Sequence, residues 1–181
     1  MERKNQMIPL FTKEEYEFIL ESNKIEAEPG VDFDHLHSFM DMKWKASESK
    51  TGNVNQGMIL EWHRKLMKNK LRRMFGEYRK CAVQVGGKLM PNPVAVPHLM
   101  DEWIESFNKM DKTPWEYHKA FENIHPFVDG NGRTGRLLWA FDLLRRGKEV
   151  YPILNDFHNP DLVAHKDERW EDARQRYYQS L

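Results

Sequence analysis

"HPFVDGNGRTGR", residues 125–136, puts three glycines, two arginines, one histidine and one aspartate into twelve positions. Each glycine lowers helix or strand stability by roughly 0.5–1 kcal/mol relative to alanine. Backbone reach, not packing, therefore accounts for the composition. Upstream, Thr113-Pro114-Trp115-Glu116 reads as a helix start: threonine caps, proline takes the first turn and glutamate closes a capping box. Tyr117, Phe121 and Ile124 follow at helical spacing, and Pro126 ends this helix just after His125. A second helix begins near Asn131 or Gly132, carries Leu137, Leu138, Phe141 and Leu144, and stops at Gly147. The stretch is thus a tight bend between two helices.

Such a bend presents free backbone N–H groups and the positive end of a helix dipole, a ready phosphate site. Gly130 and Gly132 allow close backbone approach, and Arg133 and Arg136, three apart, fall on one helix face. Two guanidinium forks suit several phosphates better than one. Asp129 would repel phosphate unless a Mg²⁺ ion lay between them. His125, at the rim, is the candidate base. Other templates fit less well. "GNGRTG" matches the dinucleotide fingerprint, but a capped helix precedes it where a strand is required. As a calcium-binding loop it would place Arg133 and Ala140 at ligand positions. The lysine of a P-loop is absent. His118 and His125, seven apart, could share a helix face, but His118 lacks a carboxylate pair to complete a metal site.

Outward from the bend the chain is mostly helical. Thr12 and Glu15 form a capping box for a helix with Tyr16, Ile19 and Leu20, ended by Pro29-Gly30. Asp32 or Asp34 caps a second, with Phe33, Leu36, Met40 and Trp44 on one face. After a polar stretch from Ser47 to Gln56, a third carries Ile59, Trp62, Leu66 and Leu71 and stops at Gly76. The basic run "HRKLMKNKLRR" on it reads as a solvated face. Residues 80–93, "KCAVQVGGKLMPNP", break the pattern with Val83 and Val85 alternating and a Gly-Gly pair, the mark of a hairpin. Pro97 opens a helix carrying Leu99, Trp103, Ile104 and Phe107, and a charged helix spans about 161–180 with Leu162, Trp170, Ala173 and Tyr177 inward. The 181 residues suit one domain, with 40% apolar and 31% charged residues. Lysine plus arginine equals aspartate plus glutamate at 28 each, so no global charge points to nucleic acid or an acidic membrane. The single cysteine, Cys81, allows no intrachain disulfide and suits a reducing compartment, hence the cytoplasm. No apolar run would span a membrane, and the first residues do not read as a signal peptide.

The stretch H-P-F-x-D-G-N-G-R-x-x-R, read without mismatch from His125 to Arg136, resembles the signature of the Fic family. The resemblance extends through "GEYRKCAVQVGGKLMPNPVAVPHLM", which looks like the family's flap and following helix, and covers most of residues 10–150. It implies an all-α fold, a compact Fic-type helical bundle with one small β-hairpin flap. It also implies transfer of AMP from ATP, with Mg²⁺, to a Tyr, Ser or Thr hydroxyl of a target protein, which could be the chain itself. By resemblance, His125 takes the hydroxyl proton, Asp129 holds Mg²⁺, and Gly130, Asn131 and Gly132 cradle the anion. Arg133 takes the β- or γ-phosphate and Arg136 the γ-phosphate, while Phe127 packs inward to fix the loop. The flap, Gln84, Val85, Gly86, Gly87, Lys88 and Leu89 through Met90, would dock target backbone as an added strand. "SNKIEA", Ser22 to Ala27, resembles the family's inhibitory motif, with Glu26 pairing with Arg136. Ala27 stands where glycine or asparagine is usual. The implied division is an inhibitory segment over residues 1–30 and a Fic domain with a C-terminal helix over 31–181.

Three other readings stand beside this one, two of them enzymatic and one not. A hydrolase removing AMP would have Glu26 orient water and His125 protonate the leaving oxygen. A Doc-like phosphotransferase would bind the nucleotide in another orientation, against which the regular Gly132 and intact motif argue. A helical binding module without activity would not need the complete motif. Leu89 and Trp139 are candidates for the base pocket, and the sequence sets no oligomeric state.

Overall fold

Helix α1, Lys13–Ile25, starts where the capping box places it: Thr12 N–H donates to Glu15 Oε2 (2.9 Å) and Glu15 N–H to Thr12 Oγ1 (3.2 Å). The computed structural model describes residues 11–26, 33–48, 52–68, 75–158 and 166–181. Six further helices lie among them: α2 Phe33–Glu48, α3 Gln56–Leu66, α4 Val96–Lys109, α5 Pro114–Ile124, α6 Asn131–Arg145 and α7 Lys166–Ser180. Short 3-10 turns cover Pro93–Ala95 and Ile153–Phe157. Strands β1 (Gln84–Val85) and β2 (Lys88–Leu89) pair antiparallel, Gln84 with Leu89 and Val85 with Lys88. Their turn is the Gly86-Gly87 pair, both at positive φ (55° and 83°), as a two-residue hairpin requires. The fold is all-α with one hairpin.

Helix α6 is the axis of the core. From Arg133 to Leu143 every residue is buried, and α5, α2, α3 and α1 all pack against it. A helix buried on all sides has no polar face to lose. The surrounding core is aromatic: Phe18, Phe39, Trp62, Phe107, Phe121 and Phe141 are each at most 1% exposed. Burying one such side chain stabilises the fold by roughly 1.5–3 kcal/mol.

Four sequence expectations need correction. On α2 the inward residues are His35, Phe39 and Met42, while Trp44 is 62% exposed. The face is turned because buried His35 bonds Asn23 Oδ1 (2.6 Å) through Nδ1, and burial pushes its pKa down to about 3. On α1 the buried set is Glu15, Phe18, Ile19, Ser22, Asn23 and Ile25, with Tyr16 exposed. Helix α3 ends at Leu66, with Met67 as its cap, and Gly76 instead donates its N–H to His63 Nδ1 (2.9 Å). His63 is therefore a core residue, not part of a solvated basic face. Pro29-Gly30, Asp32, Leu71, Leu162, Ala27 and the end of the basic run lie outside the described residues.

Candidate active site

Helix α5 ends in an unusual backbone: His125, its cap, is left-handed at φ 50°, ψ 61°. That conformation costs an L residue on the order of 1–2 kcal/mol. Arg79 holds it. Buried at 1% exposure, Arg79 donates to His125 O (2.7 Å), Ile124 O (3.4 Å), Cys81 O (3.0 Å) and Pro91 O (2.6 Å), and its N–H donates to Pro126 O (2.9 Å). One guanidinium thus ties the end of α5 to both feet of the hairpin. Arg79→Ala is expected to lower unfolding free energy by about 2–4 kcal/mol, since four backbone carbonyls lose a charged donor. Arg79→Lys, without the planar fork, should recover only part of it. Denaturant titration measures both; a loss no larger than at an exposed arginine would contradict the assignment.

Inside the bend, Phe127 is fully buried and stacks on His63 with ring centroids 3.6 Å apart. The Asn131 side chain closes the loop, accepting from Phe127 N–H (2.8 Å) and donating to Phe127 O (2.9 Å). Its amide group is consumed there, so only its backbone can serve an anion. His63 Nδ1 accepts from Gly76, so Nε2 carries the hydrogen and donates to Asp129 O (2.9 Å). Burial lowers its pKa to about 4, which keeps the ring neutral.

Gly130, at φ 79°, caps α6, and a Cβ there would sit 2.6 Å from Met67 Sδ. Exposed Asp129 accepts the Gly130 N–H through Oδ1 (2.7 Å), and among the described residues its second oxygen takes no hydrogen bond. No group of three or more His, Cys, Asp or Glu that could hold a metal lies among the described residues. A single exposed carboxylate beside a helix N-terminus fits a Mg²⁺ whose remaining ligands are phosphate oxygens and water. It does not fit an all-protein site. His118 lies in the core, its Nε2 2.8 Å from Tyr177 Oη.

The two arginines diverge. Arg133, 3% exposed, directs Nη2 to Met67 Sδ (3.2 Å). Arg136, wholly buried, turns to α1 and α7. Nε donates to Ser22 Oγ (2.9 Å), Nη2 to Ser22 O (3.0 Å) and Glu26 Oε1 (2.7 Å), and Nη1 to Tyr177 Oη (3.3 Å). Glu26 is the cap of α1, and its carboxylate leans over Gly132 so closely that a Cβ there would collide with Oε1. The acid thus lies across the start of α6.

His125 is half-buried, and burial, reinforced by the charge of Arg79, holds its pKa below the ordinary histidine value. A cavity of about 460 Å³ lies among Val85, Gly86 and Lys88 of the hairpin, His125 and Tyr178. Lys88 Nζ donates to Asn123 Oδ1 (2.7 Å), fastening the hairpin to α5. Gln84 Nε2 donates to Gly87 O (2.7 Å), and Leu89 is 71% exposed on β2. Trp139, at 3% exposure, packs on Phe18 in the core, so it does not line this cavity.

Arg79, His63 and Tyr177 were not legible as site residues. His63 had a signal: with Ile59, Trp62 and Leu66 it falls on the buried stripe of α3. Arg79 had none, because its acceptors are backbone carbonyls brought together only by folding. Comparison with known proteins agrees with the bend and hairpin: residues 53–142 match the Fic/DOC family. The chain carries a Fic/DOC-family domain. It is 40% identical over 96 residues to the protein adenylyltransferase Fic of Drosophila virilis, and 38% identical over 96 residues to that of Drosophila ananassae. Each alignment covers 49% of this chain; it takes in 20% of the first relative and 19% of the second, so the chain spans about a fifth of their length. A Fic domain containing signaling protein from Bacteroides thetaiotaomicron shares the fold at TM-score 0.61 and 22% identity, over 90% of this chain and 68% of that one. So does a Fic family protein from Desulfovibrio desulfuricans, at TM-score 0.55 and 24% identity, over 73% and 48%. The Fic/DOC match holds α3 to α5 and most of α6; α1 with Glu26 and α7 lie outside it.

Proposed function

We propose that this chain transfers AMP from ATP to a Tyr, Ser or Thr hydroxyl of a target protein, and that Glu26 keeps it at rest. Residues 1–30 are the inhibitory segment in this reading, and 31–181 the transferring domain. His125 takes the proton from the target hydroxyl. The freed oxygen attacks the α-phosphorus, its bond to the β-phosphate oxygen breaks, and pyrophosphate leaves. A low histidine pKa supports the role, since a base must start unprotonated. The amides of Gly130, Asn131 and Gly132 and the dipole of α6 stabilise the phosphate charge, and Arg133 and Arg136 its outer oxygens. Asp129 would hold Mg²⁺, which when bound supplies charge neutralisation on the phosphate oxygens. The hairpin edge from Gln84 to Leu89 orders the target's backbone as an added strand.

The observation that carries this reading is the Glu26–Arg136 ion pair at the head of α6. A buried arginine near the start of a helix calls for an anion, and a carboxylate from another helix supplies one. Relatives named protein adenylyltransferase lend the chemistry further support. The test is incubation of the chain and candidate proteins with Mg²⁺ and ATP labelled at either the α- or the γ-phosphate. Protein-bound α-label without γ-label is expected. Incorporation of γ-label instead would mean phosphotransfer, and the proposal would be withdrawn.

A further inference from the structure

We propose that α7 is a latch on the inhibitory turn of α1, with Arg174 as the positioning residue that sets how firmly Glu26 occupies Arg136. The inference rests on the inhibitory reading of Glu26 given above. Its basis is the carbonyl of Ile25, the residue next to Glu26. As the last residue of α1, Ile25 offers a C=O with no partner inside the helix. Helix α7 supplies donors for it: Arg174 Nη2 at 3.0 Å, Arg174 Nε at 3.3 Å and Tyr178 Oη at 3.3 Å. The cation of Arg174 also sits where the dipole of α1 favours positive charge. One turn earlier on α7, Trp170 takes the Lys24 ammonium over its ring, 3.9 Å from the centroid. The same helix reaches the other half of the ion pair, since Tyr177 accepts from Arg136. Consecutive residues of α7, Tyr177 and Tyr178, therefore touch the arginine and the backbone that aims the acid.

The physical consequence is one of effective concentration. Helix ends fray, and a carboxylate on a frayed cap spends less time against its arginine. Pinning the Ile25 carbonyl keeps Glu26 in reach. Arg174 itself is part-exposed and paired with Glu171 (3.6 Å), so its removal opens no hole in the core.

The test is titration calorimetry of Mg-ATP into the full chain, comparing wild type, Arg174→Ala, Arg174→Lys, Tyr178→Phe, Glu26→Gly and Glu26→Gly/Arg174→Ala. Arg174→Ala is expected to tighten Mg-ATP binding about tenfold, the weight of one charge-assisted bond. Arg174→Lys and Tyr178→Phe should shift it in the same direction by less. Tyr178→Phe removes only a hydroxyl, so a folding defect in Arg174→Ala would leave the test standing. In the Glu26→Gly background Arg174→Ala should change affinity by less than about twofold, because the latch acts only through Glu26. Glu26→Gly tightening binding while Arg174→Ala and Tyr178→Phe do not would overturn the latch alone. Equal effects of Arg174→Ala in both backgrounds would also overturn it. No tightening by Glu26→Gly would remove the inhibitory reading, and the latch with it.

Discussion

Glu26→Gly is expected to raise AMP incorporation by about 10- to 100-fold, the worth of one charge-assisted contact returned to ATP's terminal phosphate. In the resting arrangement Arg136 spends its Nη2 on Glu26 and Ser22, and the carboxylate overlies Gly132. Removing the acid leaves a buried cation near the start of α6 without its carboxylate, an arrangement that selects for another anion. The variant should also be less stable by about 1–3 kcal/mol. That is less than for a wholly buried pair, because the Glu26 side chain is 32% exposed and partly screened. Both quantities are measured on one preparation, by label incorporation and by denaturant titration. An unchanged transfer rate in a folded, ATP-binding variant would show that the acid does not restrain the reaction.

The second large effect is expected at His125. His125→Ala should lower transfer by about 10²- to 10⁴-fold, the usual contribution of a positioned base. Mg-ATP affinity should change little, since the phosphate contacts assigned above belong to α6. The pH profile follows from the imidazole's environment. Only the neutral ring accepts a proton, and burial lowers its pKa from 6.5. The rate should therefore be flat through neutrality and fall only as pH drops below 6.5 and through that lowered value. An acid limb above 6.5, or one that persists in His125→Ala, would assign the base elsewhere.

Both predictions use contacts of very different legibility. The capping boxes at Thr12 and Thr113, the Gly86-Gly87 turn and the start of α6 are local, three or four residues across, and propensity alone places them. The contacts that shape the site are not local. Arg79 reaches His125 across 46 residues, His63 reaches Asp129 across 66, and Arg136 reaches Glu26 across 110. Family resemblance anticipated the last of these pairings; neither spacing nor charge would have. The divergence of Arg133 and Arg136 was hidden because side chains three apart start on one face but reach apart where the helix has no free face to hold them together. Helix α6 has none, so Met67 draws one guanidinium and α1 with α7 the other. The turned face of α2 has a similar cause: a polar residue, His35, found a buried partner in Asn23 and carried its neighbours inward.

Because α6 is the spine of the core and, in the proposed reading, also carries the phosphate contacts, the protein has no spare scaffold. In many enzymes a worn core can be tolerated while chemistry continues in a loop some distance away. Here a slack side chain at Leu137 or Phe141 is transmitted along one rigid rod to the amides at its head. Selection for durable folding and selection for catalysis would then act on the same fifteen residues, leaving little room for either to drift alone.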